Sequence, residues 1–227
     1  MKSNRTDRNR QKAAIFVQLV FILFTVWSSA EMFILSGKGN MAVSRTVIFR
    51  YFTVDLNILC AVSCAFSIAL LVHSLQGRGT TGTFRKAVML FRYAGTAAVS
   101  VTMMTVLLFL GLLYGYPAMF AGWNLWLHLL GPLLAIISFI WLETEGAFPE
   151  RKHLFWSVLP VIVYGIVYLV MTVLIGRDRG GWPDFYGFNI GGRWYVSFLL
   201  MIVGTLLIGV VLMKLRRAAV RSHPVTE

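Results

Sequence analysis

"YFTVDLNILC", Tyr51–Cys60, places a threonine, an aspartate and an asparagine within five positions at the head of an otherwise apolar run. The run continues to about residue 73, a length that spans a bilayer as a helix. Hydrocarbon offers polar groups no water, so whatever sits there is satisfied by protein or put to use. Five further apolar runs of similar length follow the same pattern. The six spans read as roughly 13–35, 51–73, 93–113, 124–142, 154–175 and 194–213. The chain of 227 residues is 58% hydrophobic and 13% charged, against about 25% charged in soluble domains. The expected fold is all-α: one domain, a single bundle of six transmembrane helices.

Lys and Arg set the orientation. Lys2, Arg5, Arg8, Arg10 and Lys12 precede the first span. Arg78, Arg85, Lys86 and Arg92 fall in the second loop, Arg151 and Lys152 in the fourth, and Lys214, Arg216, Arg217 and Arg221 in the C-terminal tail. The opposite side has Lys38, Arg45, Arg50, Arg177, Arg179 and Arg193. Fifteen against six predicts that both termini are cytoplasmic. This distribution also accounts for the net charge of +12 without a nucleic-acid partner. Ser28-Ser29-Ala30 resembles a signal-peptidase site, but apolar residues resume at Met32, so the segment reads as a full span. Cys60 and Cys64 share one apolar run, which argues against a disulfide framework. Pro160 and Gly165 of span five have no counterparts in span two, so no internal repeat of the transporter kind is expected.

The polar residues gather at one depth. Asn57 follows Thr53 by four positions and shares its helix face, whereas Asp55 points about 200° away. His128 lies about one turn inside span four, with Asn124 one turn above it. Thr53 and His128 both fall within roughly 10 Å of the outer hydrocarbon boundary. Glu31, at the end of span one, belongs to the same layer. A hydroxyl beside an imidazole is the minimal nucleophile and base. The bland readings are a threonine bonded to its own helix, an asparagine joining two helices, carboxylates snorkelling to the interface and a packed histidine. His128 is the one histidine at this depth, since His73 and His153 lie near the other ends of their spans. No metal site is therefore expected. Trp182, Tyr186, Trp194 and Tyr195 suit an interfacial aromatic belt.

Phe52-Thr53-x-x-x-Asn57 resembles the F-T-x-x-S-N signature of a family of small six-helix membrane proteins, with Leu56 here in place of the serine. His128-x-x-x-Pro132, with Glu143 and Phe148-Pro149 after it, resembles the second signature. Trp182-Pro183-Asp184-Phe185-Tyr186 lies where the family has an aromatic-Pro-aromatic loop before the last span. The family is that of the androgen-induced and androgen-dependent TFPI-regulating proteins and their bacterial relatives. The resemblance implies hydrolysis of fatty acid esters of hydroxy fatty acids, with Thr53 as nucleophile and His128 as base and no cofactor. Asn57, Asn124 and Tyr186 are then candidates to support the reaction or bind substrate, and Asp55 or Glu31 to orient the imidazole. The implied partner is a membrane lipid or acyl ester, and the implied location is a bacterial inner (cell) membrane. The rival expectations are a lipid-binding protein without chemistry and a proton-coupled carrier. The carrier is disfavoured, because spans three, five and six carry no ionisable group at their middle.

Overall fold

The structure, a computed structural model, describes residues 2–35, 45–143 and 150–221. Lys38 and the Phe148-Pro149 element lie outside the described residues. Six helices are long and apolar enough to cross a membrane. They are α1 (Lys2–Leu35), α2 (Phe52–Leu75), α3 (Gly82–Tyr114), α4 (Trp123–Leu142), α5 (Arg151–Ile175) and α6 (Trp194–Arg221). No strand occurs among the described residues. One end of the bundle, here the terminal end, carries the start of α1 and the end of α6; the other, here the far end, carries the loops before α2, α4 and α6. At the far end the expected span boundaries match closely. At the terminal end every helix but α4, which ends at Leu142 as expected, overruns them, because hydropathy stops at the first polar or charged residues and the helices do not.

Outward faces are apolar. Leu112 is 71% exposed, Leu174 70%, Trp27 69% and Phe16 68%. Water would penalise so much exposed hydrocarbon, and lipid does not. Inside, α3 is the central helix and packs against α2, α4, α5 and α6. Its stretch Tyr93-Ala94-Gly95-Thr96-Ala97-Ala98 explains why, since small side chains let neighbouring backbones approach. A Cβ on Gly95 would lie 2.8 Å from Ser63 Oγ and 3.1 Å from the Cys60 Cα.

The interior near the terminal end is polar and connected. Arg92 was expected in a loop and Arg216 in a tail, yet both are 1% exposed. Arg92 Nη2 reaches Glu143 Oε1 at 2.7 Å, and its Nε faces the same carboxylate at 3.2 Å. Its Nη1 donates to Ser63 Oγ at 3.2 Å. Ser138 Oγ donates to Glu143 Oε1 at 2.9 Å, and Gln18 Nε2 joins Ser67 Oγ at 3.1 Å to Ser138 Oγ at 3.4 Å. Arg216 donates to the Phe139 carbonyl, with its guanidinium 4.4 Å from the centre of the Phe139 ring. Glu143, an element of the second sequence signature, is thus the anion between two buried cations.

Removing one partner of a buried pair strands the other charge, at a cost of about 3–5 kcal/mol. Arg92→Met should therefore lower the thermal midpoint in detergent sharply, and Arg92→Met/Glu143→Met should recover part of the loss. A double variant as unstable as the sum of the singles would mean that the pair is not the unit holding this region.

Candidate functional site

Three segments converge at the far end: the first turn of α2, the first turns of α4 and the loop 176–193. The α4 turn is shaped by Gly131-Pro132. The stretch Trp126–Leu130 is π-helical, and the Gly131 N–H closes it onto the Trp126 carbonyl. In the same register residue 132 would donate to Leu127, but proline has no N–H. The Leu127 carbonyl is left free, and Asn57 takes it: Nδ2 donates to Leu127 O at 3.1 Å and to its own helix at Thr53 O, 2.8 Å. Asn57 is fully buried. Both of its N–H bonds end on backbone carbonyls, so it ties α2 to α4 and has no donor left for a substrate. Gly131 is required at the bulge, because a Cβ there would lie 2.9 Å from Trp126 O and 3.4 Å from Phe21. The indole of Trp126 fastens the turn to α1 by donating to Thr25 Oγ1 at 3.2 Å.

His128 sits within this π-helical turn and is 8% exposed. Its Nδ1 lies 2.7 Å from the Met119 carbonyl. A carbonyl only accepts, so Nδ1 carries the proton and the neutral ring keeps its lone pair on Nε2. Met119 ends the one-turn helix Tyr116–Met119, and its carbonyl is one of the orphan acceptors left at a helix C-terminus. That short helix is pinned to the end of α3: Tyr116 OH donates to Leu107 O at 2.7 Å, and its ring packs on Gly111. The carboxylates were candidates to orient this imidazole; a backbone carbonyl does so instead.

Tyr186 closes the site from above. Its phenol oxygen accepts the Phe52 N–H at 3.0 Å, an orphan donor of the first turn of α2. The Thr53 and Tyr164 hydroxyls interact with the same oxygen. Tyr164 gives its own proton to Arg50 O at 2.6 Å. Burial pushes the Tyr186 phenol upward, so it stays protonated and can donate as well as accept. The loop that presents it hangs from Tyr168 and Asp184. Tyr168 OH donates to Asp184 Oδ1 at 2.7 Å and accepts the Tyr186 N–H at 3.1 Å. Asp184 also accepts the backbone N–H of Phe188 and of Asn189. Trp182 and Tyr186 therefore fold onto the bundle, whereas Trp194 and Tyr195 are exposed as a belt requires.

These pieces enclose a cavity of about 300 Å³, lined by Thr53, His128, Asn124 and Tyr186 on its polar side and by Met32, Val54, Leu110 and Leu127 among its apolar walls. Asn124 donates to Ala118 O at 3.4 Å through one N–H of its amide. Asn57 lies behind this cavity. Asp55 lines a separate groove on another face of α2. Glu31 is outside the cavity, to which α1 contributes Met32. Neither acid forms an ion pair with Arg50, Arg193 or His128 among the described residues. The residues that sequence reasoning missed are Met119, Tyr114 and Trp123. The Met119 contribution is a carbonyl and leaves no mark in side-chain identity. Among the described residues no cluster of three or more His, Cys, Asp or Glu fits a metal ion.

Asn57→Ala should strip the buried Leu127 carbonyl of its donor and cost about 1–3 kcal/mol. Pro132→Ala restores the missing N–H, so Asn57→Ala should cost less in that background. Equal costs in the two backgrounds, measured by thermal unfolding in detergent, would break the proposed link between Pro132 and Asn57. No known protein family, curated protein or solved structure matches the chain.

Proposed function

We propose that the protein is an intramembrane hydrolase of fatty acid esters, with Thr53 as nucleophile and His128 as base. The observation that carries this reading is one cavity that holds both side chains while the Met119 carbonyl reserves the histidine's Nε2 as acceptor. His128 Nε2 takes the Thr53 proton as Oγ1 bonds to the ester carbonyl carbon. The C–O bond to the alcohol breaks, and the imidazolium returns the proton to the departing oxygen. Water then attacks the acyl-threonine with His128 again as base. The acid leaves and Thr53 Oγ1 recovers a proton. Tyr186 O–H and the second N–H of Asn124 are the donors available to an oxyanion in the cavity. Met32, Val54, Leu110 and Leu127 supply apolar wall for acyl carbon.

We place the termini in the cytoplasm and the cavity toward the outer leaflet of a cell membrane. With Arg92 and Arg216 withdrawn into the bundle, the basic residues still divide thirteen to six in favour of the terminal end. Labelling of single cysteines at the exposed positions 178 and 179, beside Gly180, should succeed from outside intact cells. Labelling only after permeabilisation reverses the topology.

One observation favours a second reading, a lipid-binding protein without turnover: the cavity that holds Thr53 and His128 is walled mostly by apolar and aromatic side chains. Purified protein, a panel of lipid esters and an electrophilic probe for active hydroxyls separate the two. Thr53→Ala and His128→Ala should each abolish turnover, far beyond the ~1 kcal/mol of one structural hydrogen bond, and their losses should not add. Thr53→Ser should retain part of the activity. Turnover by Thr53→Ala at the parent rate rules out the threonine mechanism, and a folded parent that binds lipid but neither hydrolyses nor labels supports the second reading.

A further inference from the structure

A cavity larger than the Thr53 one lies elsewhere. A groove of about 710 Å³ runs between α2, α3 and α5, on a different face of α2 from Thr53. Ala87 and Trp156 mark its terminal end, and Phe49, Asp55 and Trp182 its far end. Its wall on α5 extends from Trp156 to Val167, about 16 Å along the helix axis, the length of a chain of about a dozen carbons. Asp55 is the one acidic residue among its lining residues, and the rest of the wall is almost entirely apolar.

Asp55 is half-buried, and its carboxylate forms no hydrogen bond or ion pair among the described residues. The nearest cation along the chain, Arg50, stacks instead over Trp182, 5.8 Å from the ring centre. The Tyr164 hydroxyl beside the groove is committed to Arg50 O. An ionisable group held at lipid level without a partner is costly, and such groups mark functional sites. Its complement is a cation with N–H donors, and the walls next to it call for hydrocarbon. The ring of Tyr164, which lines the groove at the same end, adds a face on which an ammonium rests.

We propose that this groove binds a single-chain amphiphile whose ammonium group adjoins its alkyl chain, with the ammonium on Asp55 and the chain lying toward Trp156. The site is independent of the hydrolase reading, since it shares no lining residue with the Thr53 cavity.

The test uses the full chain purified in a nonionic detergent, with tritiated dodecylamine as ligand and dodecanol and dodecanoate as competitors. Dodecylamine should bind saturably and be displaced poorly by the other two. Asp55→Asn should weaken amine binding about ten- to a hundredfold, the loss of one charge-assisted hydrogen bond, and leave dodecanol binding unchanged. Val163→Trp, at a lipid-facing wall position that is 55% exposed, should fill the groove and abolish binding of both. Arg50→Ala should leave amine binding intact. The proposal fails if the parent binds no amine, if dodecanol or dodecanoate competes as well as the amine, or if Asp55→Asn binds the amine like the parent. If Asp55→Asn does not fold, the competitor order on the parent and the Val163→Trp result decide.

Discussion

A missing N–H at Pro132 governs the geometry of the far end. It leaves the Leu127 carbonyl without its helical partner where α4 faces the first turns of α2. A carbonyl buried in a membrane bundle cannot turn to water, so the neighbouring helix has to supply a donor. Asn57 supplies it, and in doing so fixes the depth and rotation of α2 against α4. Thr53 stands one turn from Asn57 and His128 one residue from Leu127, so both side chains inherit their positions from that bond. The π-helical turn is thus the way a proline is accommodated and also the reason the imidazole reaches the cavity.

The interior divides its polar groups between two levels with different physics. Toward the terminal end, Arg92, Glu143, Gln18 and three serines form a connected set, with Arg216 beside it and little room for anything else. Such a set specifies how helices pair more than it adds net stability. At the far end the polar groups are fewer, face a cavity and keep spare capacity: a lone pair on His128, a hydroxyl on Thr53, a proton on Tyr186. Bundles that bind or react differ from bundles that only hold together in this surplus.

The spans were legible because hydropathy depends on composition alone, and a run of twenty apolar residues has one solution in lipid. The angular separation of Thr53 from Asp55 was legible for a similar reason, since helical periodicity sends the two residues to different cavities. Arg92 and Arg216 were misplaced because a hydropathy window ends at a charge, while a helix continues through one that finds a partner. The choice of a carbonyl to orient His128 was not legible at all: Met119 contributes its backbone, and only the fold of the loop 115–122 brings it there. Tyr186 was noticed for its aromatic ring, whereas its place in the structure rests on the oxygen.

The Phe52–Tyr186 bond joins residues 134 positions apart, and this separation orders the assembly of the molecule. Synthesis at about 5–20 residues per second delivers the tyrosine roughly 7–27 seconds after α2 begins to emerge. Until then the first turn of α2 has no phenol on its N–H, and the cavity lacks the wall that the loop 176–193 supplies. A nascent chain with four or even five helices in place therefore has Thr53 and His128 but no enclosed chamber around them. The chamber closes only once the loop before α6 has been made.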